Sequence, residues 1–354
     1  MNSLDQYFLK ETFNLAKLGE GIVSPNPMVG AIVVKDGIIV GRGYHRGSGT
    51  PHGEKEAILE AGENAKGSTL YVSLEPCCHY GRTPPCTDLI ISSKIKKVVA
   101  PIKDPNPPVN GKGFKILEEN GVEVVTGILK EEAEKLNAFY LKYIKTKKPY
   151  AILKAALTLD GRIGDLERNI TKITSKESLK EVHRYRKKVD AILIGVGTLL
   201  LDNPRLTVRL VESKHQPYKV VIDPDLRTPK DARIFKEGGK VILATLDKKA
   251  EEKYPEATIW TFKEKNGSIP VEEILKRAGE EKITSILIEG GSKTFTHFIK
   301  ENVVDKYLLF YSPSFIGKGI PFLSTSLPRR FLNTRIKKIG EDILIEGDNV
   351  YGNN

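Results

Sequence analysis

The chain has 354 residues, 40% hydrophobic and 29% charged, which suits two globular domains and excludes a largely disordered protein. The net charge is +11, but its Lys and Arg are scattered without a basic block or aromatic-basic stripe, so phosphorylated small molecules are expected as partners and nucleic acid is not. No apolar run approaches the roughly 18 residues of a membrane span, so no membrane partner and a cytoplasmic location are expected.

In chain order, Leu4 to Leu18 reads as a helix. The apolar runs VGAIVV (29–34) and IIVGRG then flank Lys35-Asp36-Gly37, a hairpin signal. A helix over 53–61 carries Ala57, Ile58 and Ala61 at helical spacing, with Gly62 just beyond. Next come a strand over 68–74, a Pro- and Gly-rich loop, a helix beginning near Cys86, strand KKVVAP, a helix over 112–120, strand VEVV and a helix over 130–145. Alternation of this kind predicts a layered α/β domain over 1–146. After the charged link TKKP a second α/β domain, 147–354, begins with a strand at Tyr150. Its further strands are expected at 190–195, 218–222, 240–245, 257–261, 283–289 and 305–311, with helices near 175–188, 271–279 and 292–300.

All three cysteines, Cys77, Cys78 and Cys86, cluster within ten positions, which points to a metal or to catalysis rather than to a disulfide framework. Zinc takes imidazole and thiolate ligands, and a catalytic site uses three of them while leaving a position for water. His52, Cys77 and Cys86 supply that set, one zinc per chain. Glu54, two residues from His52 at the start of a helix, is the proton-transfer candidate, since H-x-E followed by P-C…C is the zinc deaminase signature. Cys86 opens a helix, whose N-terminus favours a thiolate. Cys78 in place of a neighbouring cysteine, and a purely structural zinc site, are the alternatives.

The strings LEPCCHYGRTPPC (74–86), SPNPMVGA (24–31), GYHRGSGTPHGE (43–54), KAALTLDGRI (154–163), GVGTLLLDNPRLTVR (195–209) and IEGGSKTF (288–295) together span nearly the whole chain. They closely resemble the bifunctional deaminase/reductase family of riboflavin biosynthesis. The resemblance implies a cytidine-deaminase-like α/β/α domain followed by a dihydrofolate-reductase-like α/β domain. It also implies zinc-dependent removal of the 2-amino group of a diaminopyrimidine ribosyl phosphate, followed by NADPH reduction of the ribosyl group to ribityl. By resemblance Asn26, His45 and Arg82 touch the deaminase substrate. Lys154, Asp160, Arg186, Leu206, Arg209 and Glu289 touch the reductase substrate. Thr198, Asp202, Gly290, Gly291, Ser292, Lys293 and Thr294 hold the cofactor, and a homo-oligomer is expected. Where many relatives carry Ser-x-Trp, this chain has Ile170-Thr171-Lys172, which removes an aromatic contact. His183 and His215 have no motif around them and are expected at the surface, whereas His297 is expected to face the cofactor. The rival expectation is a zinc deaminase of a nucleoside or tRNA adenosine with an accessory second half.

Overall fold

A computed structural model describes residues 3–81, 84–165, 172–247, 249–265 and 267–348. The chain divides into two compact units, Met1–Lys147 and Lys148–Asn354.

The first unit runs α1 (Ser3–Ala16), β1 (Gly30–Lys35), β2 (Ile38–Tyr44), α2 (Gly53–Ala61), β3 (Thr69–Val72), α3 (Cys86–Ser92), β4 (Lys97–Ala100), α4 (Lys112–Glu119), β5 (Glu123–Thr126), α5 (Lys130–Leu136) and α6 (Ala138–Thr146). Its strands form one sheet in the order β2-β1-β3-β4-β5, antiparallel across β1 and parallel from β3 to β5. The period of two along each strand divides the core. Ala31, Val33, Leu70, Val72, Val98 and Ala100 pack beneath α2, α3 and α4. Ile32, Val34, Tyr71 and Val99 meet Phe8 and Leu9 of α1 on the other face. The result is a sandwich of helix, sheet and helix.

Two local devices aim this framework. A Cβ on Gly41 would lie 2.1 Å from Ala57 O, and one on Gly43 would lie 2.2 Å from Gly53 O, so only glycine lets α2 settle against strand β2. The expected single helix over 130–145 is broken at Asn137, whose buried amide pairs with both Met28 N–H (2.8 Å) and Met28 C=O (3.0 Å). That long-range bond outweighs helical continuity, because a buried backbone pair must be satisfied.

The second unit runs β6 (Tyr150–Thr158), β7 (Arg162–Gly164), α7 (Lys176–Lys188), β8 (Ala191–Gly195), α8 (Val196–Asp202), β9 (Tyr218–Ile222), α9 (Arg233–Lys236), β10 (Val241–Thr245), α10 (Ala250–Lys253), β11 (Thr258–Thr261), α11 (Val271–Glu280), β12 (Ser285–Ile288), α12 (Ser292–Lys300), β13 (Lys306–Ser312), β14 (Ile320–Pro321), β15 (Leu332–Ile339) and β16 (Asp342–Asp348). Its main sheet has the order β11-β10-β9-β8-β12-β6-β13-β16-β15, parallel except at β16 and β15. Phe295, Phe298 and Ile299 of α12 and Ile274, Leu275 and Ala278 of α11 belong to the same core as Leu153, Leu193, Val220 and Ile286. Neither α8 nor the β15–β16 hairpin is among the elements expected from the sequence pattern. Strand β15 is exposed along nearly its whole length, so it has no buried face to impose an apolar alternation. No helix among the described residues is long and apolar enough to cross a membrane.

Candidate active sites

The first site lies where three element ends meet. His52 caps the start of α2 with an extended backbone, and Cys86 is the first residue of α3. Cys77 lies in the loop after β3, held against α3 by Cys86 N–H to Cys77 Sγ (3.4 Å) and Thr87 N–H to Cys77 O (3.2 Å). His52 Nδ1 is 3.5 Å from Cys77 Sγ and 3.3 Å from Cys86 Sγ, and the three donor atoms all lie within 4.8 Å of one another. Cys78 points elsewhere, its thiol 3.6 Å from Pro108 O. The hydrogen bond with Cys86 pulls the Cys77 thiol down to about 4, and the same contact with burial drives the Cys86 thiol well up. His52 is raised to about 9, chiefly by its hydrogen bond with Cys77. One nitrogen and two sulfurs at this spacing suit zinc.

Glu54 stands in the first turn of α2, 3% exposed, and its Oε2 has no hydrogen-bond partner among the described protein groups. Burial pushes its carboxyl above the ordinary range. Beside it, the His45 ring packs edge-on against His52 at 5.4 Å. His45 Nδ1 lies 3.3 Å from Pro51 O and therefore carries the proton, so Nε2 accepts from the Asn26 amide at 3.1 Å. Burial lowers the His45 pKa, which keeps this tautomer neutral. Arg82 lies outside the described residues, as do Ile170 and Thr171.

The second site gathers at the C-terminal ends of parallel strands β8 and β12, where ligands of open α/β sheets bind. Arg186, on α7, grips Glu289 through Nε (2.7 Å) and Nη2 (2.8 Å) and donates from Nη1 to Thr207 O (3.0 Å). Three of its five N–H groups are thus engaged within the protein, so its guanidinium is first of all the partner of Glu289. Burial pushes the Glu289 carboxyl up, but Arg186 and Lys154 together hold it below its ordinary range. Burial depresses the Lys154 ammonium, and Arg209 is depressed by burial and by Arg186 and Arg205. This is a cluster with more cations than anions.

The cofactor candidates divide. A Cβ on Gly290 would lie 2.6 Å from Thr294, one on Gly291 3.1 Å from Thr198 Oγ1, and one on Gly195 2.5 Å from Thr294 Oγ1, so the starts of α8 and α12 are tightly apposed. Ser292 Oγ is buried there without a partner among the described groups, an orphan that a cofactor phosphate fits. Lys293 and Asp202 are exposed. Asp160 is already engaged: its carboxylate accepts from Thr158 Oγ1 (2.5 Å) and Gly317 N–H (2.7 Å), tying a turn together. His297 is exposed in the last turn of α12.

Residues 149–345 match the RibD C-terminal domain family, and residues 2–101 match the cytidine and deoxycytidylate deaminase zinc-binding region. The riboflavin biosynthesis protein RibD of Aquifex aeolicus is 42% identical, the alignment covering 98% of each chain, and that of Escherichia coli is 36% identical over 96% of this chain and 98% of its own. The chain belongs to the RibD family. A Thermotoga maritima structure described as a diaminohydroxyphosphoribosylaminopyrimidine deaminase/5-amino-6-(5-phosphoribosylamino)uracil reductase superposes with a TM-score of 0.90 at 39% identity, covering 98% of this chain and 99% of that one. As a RibD protein the chain is a bifunctional riboflavin-biosynthesis enzyme, a zinc-binding deaminase and an NADPH-using reductase. A nucleoside or tRNA adenosine deaminase with an accessory second half is not favoured, because the second half is itself a RibD reductase domain.

Two residues escaped sequence reading. Glu75 is buried in the loop three residues beyond β3 and accepts four backbone N–H groups: Asp104 (3.0 Å) and Gly111 (2.9 Å) on Oε2, Gly113 (2.9 Å) and Phe114 (3.4 Å) on Oε1. It fastens the 104–114 segment beneath Pro76 and Cys77. An acid directly after an apolar strand was the available signal. His183, expected at the surface, is instead fully buried. It precedes Arg186 by three residues, and on a helix that spacing puts both on one inward face. His215 is half-buried rather than exposed.

Proposed function

We propose that the first unit hydrolyses the 2-amino group of 2,5-diamino-6-(5-phosphoribosylamino)pyrimidin-4(3H)-one, and that the second reduces the ribosyl group of the resulting 5-amino-6-(5-phosphoribosylamino)uracil with NADPH. The observation that carries the deaminase half is the His52, Cys77 and Cys86 trio within 4.8 Å, beside a buried Glu54 carboxylate whose Oε2 has no partner among the described residues. His52, Cys77 and Cys86 would hold the zinc, and the chemistry a zinc ion would supply there is a water of lowered pKa. Glu54, whose burial suits it to hold a proton, takes one from water and delivers it to the ring nitrogen, then takes a second from the hydroxyl newly bonded to the ring carbon and delivers it to the amine, which leaves as ammonia. Asn26, steadied by His45, meets the pyrimidine amide edge, and Arg82 serves the ribosyl phosphate end; His45, with both ring nitrogens engaged, acts through Asn26.

In the reductase unit Arg209, Arg186 and Lys154 attract the substrate phosphate, with Leu206, Asp160 and Glu289 shaping the pocket. The unmatched positive charge around Arg209 supports that assignment. Thr198 and Asp202 of α8, with Gly290 through Thr294 at the start of α12, would hold NADPH, a reading supported by the buried Ser292 hydroxyl, which has no partner among the described residues. Incubation with the diaminopyrimidine phosphate tests both halves. Ammonia should appear with or without NADPH, and NADPH should be consumed only after ammonia release. Ammonia release that itself requires NADPH would refute two separate sites.

A homo-oligomer belongs to the same proposal. β15 is a sheet edge with Ile336 70% and Leu332 51% exposed, the kind of strand proteins ordinarily cover. Light scattering of the purified chain checks it, and a monomer at working concentration would refute it. A cytoplasmic enzyme without nucleic-acid or membrane partners should show ammonia release that varies little with salt.

A further inference from the structure

The segment from Asn203 to Leu210, which carries Leu206 and Arg209, lies between α8 and β9 without regular structure of its own. Its backbone is held in an unfavourable conformation: Asn203 has φ +40° and Leu206 has φ +52°, a left-handed value that costs a leucine energy. Such a conformation persists only where the surroundings impose it, and here side chains do so from several directions. Asn203 Oδ1 accepts Arg233 N–H (2.9 Å), Arg186 donates to Thr207 O (3.0 Å), and Gln216 pairs with Val208 N–H (2.8 Å) and C=O (2.9 Å). The last anchor is His183, whose Nδ1 accepts Arg209 N–H (3.1 Å) and Leu210 N–H (3.4 Å).

Among these anchors His183 stands apart. It is fully buried on α7, whereas Gln216 is exposed and Arg186 is already committed to Glu289. Because Nδ1 accepts both bonds, the proton sits on Nε2, which has no partner among the described protein groups. The charged groups around the ring are Arg186 on α7, Arg209 on the segment itself, Glu289 after β12 and Lys154 on β6. Burial, Arg186 and Arg209 lower its pKa to about 4, so near neutral pH the ring is uncharged and remains an acceptor.

We propose that His183 is a positioning residue of the reductase reaction, holding the Asn203–Leu210 segment through Nδ1 in the conformation that receives the substrate. The inference rests on the assignment of Leu206 and Arg209 to the reductase substrate. A released segment would relax from its left-handed backbone and occupy the receiving conformation only part of the time. Apparent affinity for the substrate then falls by that fraction, while turnover of the bound complex and NADPH binding stay near normal.

The test uses the full-length protein, 5-amino-6-(5-phosphoribosylamino)uracil and NADPH, with steady-state kinetics in each substrate. His183→Asn keeps an acceptor, because its Oδ1 occupies the place of Nδ1. His183→Gln places its polar atoms at the Nε2 position, and His183→Leu has none. The Leu and Gln variants should raise KM for the uracil substrate about tenfold or more, the cost of losing the two hydrogen bonds that hold the segment, with kcat and the KM for NADPH within about threefold of the parent. The Asn variant should restore KM. An unchanged KM in the Leu and Gln variants, a loss confined to kcat, or restoration by Gln and not by Asn would overturn the proposal. Should the Leu variant fail to fold, as read from Trp260 fluorescence, the Asn and Gln pair decides alone. A parent that consumes no NADPH would overturn the functional assignment, and this inference with it.

Discussion

Glu75→Gln is the perturbation that most directly probes how the fold holds the zinc site. The Glu75 carboxylate accepts two backbone N–H groups on each oxygen, with the contacts at 2.9 to 3.0 Å except Phe114 at 3.4 Å. Replacing one oxygen by NH2 sets a donor against two donors, whichever way the amide turns. Each buried N–H deprived of its acceptor costs about 1 to 3 kcal/mol, so the variant should lose about 2 to 6 kcal/mol, less if the NH2 group faces Gly113 and the long Phe114 contact. The damage should be local to Cys77, two residues on, because Pro76 O packs against Gly113 so closely that a Cβ there would lie 2.3 Å away. Zinc release into a chromophoric chelator across a urea series reads the first unit, and fluorescence of Trp260, the only tryptophan, reads the second. The zinc-release midpoint should fall by on the order of 1 M urea while the fluorescence transition stays in place. A folded variant that holds zinc to the parent's urea concentration would refute the assigned role of Glu75.

Cys77→Ser and Cys86→Ser should each lose most of the bound zinc, whereas Cys78→Ser should retain it; metal analysis of purified protein decides, and full retention in both of the first two would sink the ligand set. Glu54→Gln should keep its zinc yet release ammonia about 10²- to 10⁴-fold more slowly, because a neutral amide cannot shuttle protons. Gly291→Asp places a carboxylate where the cofactor phosphate is expected, so NADPH consumption should collapse while ammonia release continues near the parent rate; equal loss of both would point to a shared site. His183, lowered from 6.5 to about 4 in the folded state, leaves the unfolded chain binding more protons between those values. Its contribution to stability is therefore present in full above pH 6.5 and is lost as pH falls towards 4, and the Trp260 transition should flatten over that window in His183→Asn relative to the parent.

Much of the molecule was legible in one dimension wherever a local rule and the tertiary fold agree. The Asp36-Gly37 turn is the clearest case: both residues adopt the left-handed conformation that a two-residue hairpin demands, and β1 pairs with β2 across them. His52, Cys77 and Cys86 could be singled out because zinc restricts its ligand types so severely that three such residues in H-x-E and P-C…C spacing suit little besides a metal. The glycines of IEGG were also visible, although why they are glycines became clear only when Thr198 and Thr294 proved to crowd them.

By itself the amino-acid order determined the alternation of elements, the two-domain plan and the residue types of the zinc cluster, since these depend on periodicity and on chemistry carried by neighbours in the chain. Only the tertiary structure decided the break at Asn137, the burial of His183, the capture of Arg186 by Glu289 and the fourfold capture of N–H groups by Glu75. In each case the partners lie far apart in sequence: 109 residues separate Asn137 from Met28, and 103 separate Arg186 from Glu289. A polar side chain's partner is chosen by whatever unsatisfied donor or acceptor the packed core brings beside it, because burial makes leaving that group unpaired more costly than breaking a local preference.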